Sequence, residues 1–225
     1  MADDVRQAVI RTCLRMNAEG VNQGTSGNVS ARAPGGMLIT PSGIPYETLT
    51  PDTIVFVADD GTWEGPWRPS SEWRMHLDIY RTRAEAGAVV HTHSPHATAL
   101  SCHRRDIPAF HYMVAVAGGA DLRCADYRTF GTPDLSEAML AALVGRRACL
   151  LANHGQIAFG PTLDKALWLA GEVEALARQY ILASSLGEPT ILSDAEMAQV
   201  LEAFEDYGRQ PAREVIQLAV PVPPA

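Results

Sequence analysis

The chain has 225 residues, of which 18 are basic and 26 acidic, giving a formal charge of −8, and 47% are hydrophobic. The acid excess argues against a nucleic-acid surface, and the apolar content rules out wholesale disorder. No apolar run reaches the roughly 18 residues of a membrane span, and Asp3, Asp4, Arg6, Arg11 and Arg15 interrupt the start where a secretory leader would be apolar, so a cytoplasmic protein without a membrane partner is expected.

Val5, Ala8, Val9, Cys13 and Met16 recur on one helical face, predicting a first helix over 4–19 that stops at Gly20. Val29 to Arg32 and Met37 to Thr40 flank Pro34-Gly35-Gly36 as hairpin arms, and another strand is expected over 53–58. A charged periodic stretch over 72–85 follows Ser70 and Ser71, which are N-cap residue types. Ala88 to His93 is short and β-branched, hence a strand. Ser94-Pro95 and Thr132-Pro133 each pair a cap with proline at the first helical position, the second opening a helix to Val144.

Ala148 to Ala152 and Gln156 to Gly160 read as strands around Asn153-His154-Gly155. Thr162 caps a helix to Ser184, and Ser193 caps another to Tyr207. The whole reads as one α/β domain over 1–207, its sheet covered by helices, with a C-terminal tail over 208–225. Hairpins early and late exclude a purely parallel sheet.

Two residue classes narrow the chemistry. The cysteines at 13, 102, 124 and 149 form no CxxC and read as reduced, mostly buried thiols. Lys165 is the single lysine, outside any P-loop pattern, so a Schiff-base enzyme would have to use that one amine.

His91 and His93 stand two apart on a predicted strand and so share a face, where they can chelate one ion. An HxH alone also suits an ordinary solvated strand face. His154, in a turn between two strands, adds a third imidazole, and three histidines make a zinc site with one position left for chemistry. Glu72 begins the helix after the serines, where a carboxylate also simply complements the helix dipole. Thr25, Asn28, Ser42, Gly43, Ser70 and Ser71 offer hydroxyl, amide and backbone donors that can cradle a phosphate without lysine, though each segment alone is an ordinary turn or cap.

Several longer stretches carry a resemblance: Asn22 to Ser30, Leu38 to Tyr46, Pro69 to Arg74, Val89 to His93, Ile107 to Met113 and Lys165 to Ala170. In these the chain resembles the class II aldolases of the aldolase/adducin family over almost its whole length, nearest to members that cleave L-fuculose 1-phosphate. The resemblance implies a mainly antiparallel central sheet with helices on both faces. It implies one Zn2+ per subunit on His91, His93 and His154, Glu72 as catalytic carboxylate, and a phosphate pocket from the six polar residues above. It further implies Tyr112 as a proton donor from a neighbouring subunit, and an aldehyde end bordered by Phe130 and Tyr207. The assembly implied is a cyclic homotetramer with intersubunit active sites.

Ser26 and Ser42 depart from the Ala and Thr of that pattern, and Asn153 from its His.

The implied reaction is reversible cleavage of a ketose 1-phosphate, L-fuculose 1-phosphate or a related 5-deoxy or 5-methylthio pentulose 1-phosphate, into dihydroxyacetone phosphate and an aldehyde. Breaking the C3–C4 bond leaves an electron pair beside a ketone, and the sink is an iminium or a metal. One lysine against three histidines favours the metal. Of the alternatives, a pentulose-phosphate 4-epimerase of the family carries Asp where Glu72 stands, a methylthioribulose-phosphate dehydratase differs in product, and a noncatalytic adducin-like module needs no intact histidine set. His76, His96, His103 and His111 are expected to be dispensable for metal, and on a strand His111 would face away from Tyr112.

Overall fold

The sheet is built outward from its central strand. In the computed structural model, which describes residues 2–206 and side chains over 4–204, β4 (Ala88–Thr92) lies fourth of seven strands. The others are β1 (Asn28–Ala33), β2 (Gly36–Ile39), β3 (Val55–Ala58), β5 (Cys124–Ala125), β6 (Ala148–Leu151) and β7 (Gly155–Gly160). Their order is β3-β2-β1-β4-β7-β6-β5, and only the β5–β6 pair is parallel. The two expected hairpins are β1–β2 and β6–β7, each joined by a short turn.

The helices are α1 (Ala2–Ala18), α2 (Trp73–Thr82), α3 (Pro95–Cys102), α4 (Pro133–Ala142), α5 (Leu163–Ser185) and α6 (Asp194–Asp206). Their starts follow the cap signals. Thr132 and Thr162 accept from the N–H groups of Leu135 and Lys165, and Ser193 and Glu196 form a reciprocal capping box.

Strand alternation sorts the helices into two layers. Ala88 and Val90 of β4 pack with α1, α3 and α5 through Met16, Ala97 and Leu167. Val89 points the other way, with Met37, Ile157 and Phe159, onto Met75, Leu77 and Ile79 of α2 and Leu135 and Met139 of α4. The expected α/β sandwich, mainly antiparallel with helices on both faces, is the observed fold. Among the described residues no helix is long and apolar enough to cross a membrane.

Four local readings change. The α2 helix begins at Trp73 with Glu72 as N-cap, and the Glu72 side chain makes no cap bond because buried partners across the sheet hold it. Residues 112–117 form a 3-10 helix instead of a strand, and the His111 ring stacks on Tyr112 at 4.8 Å instead of facing away. This helix is apolar over Val114–Ala117, which lets it bury against α5 and α6 without strand pairing. Finally, Cys102 is exposed and Cys124 half-buried, so only Cys13 and Cys149 fit the buried-thiol expectation. Tyr207 and the 208–225 tail lie outside the described residues.

Candidate active site

Sheet register brings the site together. His91 is on β4 directly opposite Asn28 on β1 and Ile157 on β7. Alternation turns His91 and Val89 to the α2 side of the sheet, where the N-terminus of α2 delivers Glu72. His93 follows two residues later, just past the strand, and its backbone N–H donates to Asn22 Oδ1 at 3.3 Å. His154 reaches the same place from the β6–β7 turn, which Asn153 closes with φ +53 and which donates Asn153 N–H to the Ser101 carbonyl.

Two glycines let these segments approach. A Cβ on Gly27 would sit 2.6 Å from the His91 carbonyl, and one on Gly155 would overlap the Thr92 carbonyl, so backbone would have to move in either case.

The three imidazole rings form a triangle with centroids 4.8 to 5.0 Å apart. One ligand atom each from Glu72, His91, His93 and His154 lies within 4.8 Å of all the others. The donor chemistry fits a divalent cation. His91 Nδ1 gives its hydrogen to the Gln156 carbonyl at 2.7 Å, which turns Nε2 inward. That nitrogen lies 3.1 Å from both His93 Nε2 and Glu72 Oε2. Lone pairs so close repel unless a cation or a proton lies between them.

Glu72 Oε2 also accepts from Asn28 Nδ2 at 3.0 Å, whereas buried Oε1, 3.1 Å from His154 Nε2, accepts no hydrogen bond.

The electrostatics follow from this crowding. Burial alone would raise the Glu72 pKa, but His91 and then His154 outweigh it and hold the carboxyl well below its usual range. Burial opposes a charged His91, yet the Glu72 carboxylate overrides it and raises that pKa. Burial, then His91 and His154, pushes His93 down to about 4.

A cleft of about 330 Å³ opens over this cluster. Its lining includes the anticipated Ser71, Glu72, His93, His154 and Phe130, the last 64% exposed. It also includes Ser26, Tyr127, Arg128 and Asn153, whose part the sequence did not signal except at Asn153 and Ser26, where the motif departs.

The remaining predicted residues are placed differently. Ser42 N–H donates to the Arg68 carbonyl and Ser70 N–H to that of Thr40, which stitches the 40–43 turn to the segment before α2. Thr25, Ser42, Gly43 and Ser71 are exposed and Ser70 is buried. Asn28 is buried, its amide engaged by Glu72 and His76. Tyr112 is 51% exposed and does not line this cleft.

Comparison with known proteins agrees with this arrangement. The profile of the Class II Aldolase and Adducin N-terminal domain matches residues 7–181. A 5-methylthioribulose-1-phosphate/5-deoxyribulose-1-phosphate aldolase of Rhodospirillum rubrum is 53% identical over 204 residues, 91% of this chain and 92% of the relative. The L-fuculose phosphate aldolase of Escherichia coli K12 is 54% identical over 201 residues, 89% of this chain and 94% of the relative. A solved L-fuculose 1-phosphate aldolase superposes with a TM-score of 0.87 at 42% identity, covering 90% of this chain and 96% of its own. A profile over most of the chain, and relatives more than half identical along nearly all of it, establish that this chain belongs to the class II aldolase and adducin family and is an aldehyde-lyase.

Proposed function

We propose that the protein reversibly cleaves a ketose 1-phosphate into dihydroxyacetone phosphate and an aldehyde, with L-fuculose 1-phosphate as leading substrate and 5-deoxy or 5-methylthio pentulose 1-phosphates as close relatives of it. The observation that carries the reading is a buried carboxylate beside three converging imidazoles at the floor of an open cleft. The names of the two sequence relatives support both substrate groups.

His91, His93 and His154 would hold zinc. When bound, the ion supplies Lewis-acid charge at the ketone oxygen, where the electron pair of the broken bond is drawn. Glu72 moves the proton at C3. In condensation Glu72 would take a proton from C3, the freed pair would attack the aldehyde carbon, and the Tyr112 hydroxyl of a neighbouring copy would give its proton to the aldehyde oxygen; exchange with water then returns a proton from Glu72 to Tyr112, and cleavage runs the same steps in reverse. Glu72 Oε1, which Asn28 does not engage, is the oxygen suited to the transfer at C3.

Exposed Thr25, Ser42, Gly43 and Ser71 would take the phosphate with Ser70 and Asn28, and Phe130 with Tyr207 would border the aldehyde. The exposure of Tyr112 supports a homotetramer with shared sites, since one protomer alone does not bring that hydroxyl to its own cleft.

The test joins metal analysis to a product assay on a panel of ketose 1-phosphates. Aldehyde release read by a coupled reductase, from protein carrying one zinc per chain, is the expected result. Formation of a 4-epimer or a dehydrated product without aldehyde would overturn the reading.

A further inference from the structure

The α2 helix and its N-cap present Glu72, His76 and Tyr80 at four-residue intervals, and β1 presents Asn28 and Ser30 at a two-residue interval toward it. Four helical residues rise about 6.0 Å and two strand residues about 6.8 Å, so the rows can interleave. They do so as a continuous buried chain. Asn28 Nδ2 lies 3.0 Å from Glu72 Oε2, and His76 Nε2 lies 2.6 Å from Asn28 Oδ1. His76 Nδ1 lies 2.7 Å from Ser30 Oγ, which lies 2.8 Å from the Tyr80 hydroxyl.

We propose that His76 is a positioning residue for Glu72, holding Asn28 so that its amide nitrogen, and not its oxygen, faces the carboxylate. The direction of every bond follows by elimination. A carboxylate only accepts, so Asn28 must offer Nδ2, which leaves Oδ1 facing His76 and requires hydrogen on Nε2. The ring is completely buried, and burial followed by the charge of His91 lowers its pKa to about 3, so it is neutral and Nδ1 is bare. Ser30 must then donate to Nδ1 and accept from Tyr80.

A histidine that merely filled the core could take either tautomer. Here the opposite tautomer would flip the amide and set Oδ1 against a carboxylate oxygen, both of them buried. With Oε2 held in this way, Oε1, beside His154 at 3.1 Å, is the oxygen turned toward the substrate. The inference rests on the proton-transfer role proposed for Glu72 and extends it to a residue that touches neither substrate nor metal ligands.

The experiment uses zinc-loaded enzyme and two substitutions, His76→Leu and His76→Gln, the second keeping an amide N–H for Asn28. Measured are zinc per chain, KM for dihydroxyacetone phosphate, kcat, and hydrogen exchange at C3 of that donor. Loss of one orienting partner typically costs about 10–100-fold in activity. His76→Leu should slow kcat and exchange by that factor with zinc and KM unchanged, and His76→Gln should recover most of the rate. Wild-type exchange in His76→Leu, or equal losses in both variants with zinc and KM altered, would overturn the proposal.

Should His76→Leu not fold, the 15N signals of His76 in the wild type decide. Hydrogen on Nε2 and a bare Nδ1 at pH 7 support the chain, and the other tautomer or a doubly protonated ring overturns it. Wild-type exchange in Glu72→Gln would instead sink the role of Glu72. A dead Glu72→Gln beside a fully active His76→Leu sinks the role of His76 alone.

Discussion

His91 donates Nδ1–H to the Gln156 carbonyl at 2.7 Å, and that bond decides which ring nitrogen meets Glu72. Because Gln156 pairs with Thr92 across β4 and β7, the tautomer of a functional histidine is written into sheet register. The cation proposed for this cluster would bind only the folded chain, so it should stabilise the fold. At about 100 times its Kd, zinc would add about 2.7 kcal/mol, roughly 5–10 °C in Tm for a chain of this size. Calorimetry of chelated and zinc-restored protein measures the shift. An unchanged Tm together with unchanged turnover in chelator would contradict a metal site here.

Replacing Glu72 by Gln keeps the shape of the side chain and removes the proposed base. Exchange at C3 of dihydroxyacetone phosphate should fall by about 10²–10⁴-fold, the usual worth of a general base, while zinc stays bound. Exchange is read by proton NMR in deuterated water and metal by elemental analysis. Simultaneous loss of zinc would mean that the carboxylate mainly holds the ion.

Acid should destabilise the apo protein in a way that His76 reports. Its folded pKa, near 3, lies below the ordinary 6.5 because burial, then the charge of His91, disfavours the imidazolium. As pH falls through 6.5 the unfolded chain takes the proton first, so the stability is fully present above that value and declines toward pH 3. The contribution is about 1.4 kcal/mol per pH unit. Glu72, also depressed, acts in the same sense at lower pH. Urea unfolding at pH 6 and pH 4.5 should show a shallower decline for His76→Gln than for wild type, and parallel declines would refute the buried neutral ring.

Gly155→Ala tests the closeness of the β6–β7 turn to β4. The added methyl would overlap the Thr92 carbonyl, one residue from His93, so the turn bearing His154 must retreat. Overpacking of this kind costs about 1–3 kcal/mol. Denaturant titration should show that loss, and zinc affinity should weaken with it. Wild-type stability would mean that the strands give way more readily than the packing indicates.

What could be read without coordinates was what local chemistry encodes. The shared face of His91 on β4 and His93 just past it follows from a period of two, and the helix starts from cap residues and prolines whose effect spans one turn. The buried relay through Asn28, Ser30, His76 and Tyr80 could not be read, because it depends on a register between β1 and α2 across 44 to 50 positions. Asn28 reads in the sequence only as a phosphate donor; that it also joins Glu72 to His76 depends on another element. Two-residue β5 is too short to show alternation, and the 3-10 helix after His111 resembles a strand because its apolar residues are mostly β-branched or small.

Tyr112 provides the sharpest test of a shared site. Tyr112→Phe should leave C3 exchange intact, since that step needs only Glu72, and should slow carbon–carbon cleavage. If the hydroxyl crosses between subunits, refolding Tyr112→Phe together with Glu72→Gln would unite an intact Glu72 from one chain with an intact Tyr112 from its neighbour. Random assortment would restore about a quarter of the sites in a cyclic assembly with one such contact per site. Cleavage in the mixture well above either parent is therefore expected, with a tetramer mass by light scattering. A mixture as slow as its parents, or a monomer that cleaves at full rate, would place the C4 proton on a group within the same protomer. The exposed Tyr127 at the cleft rim would then be the first to examine.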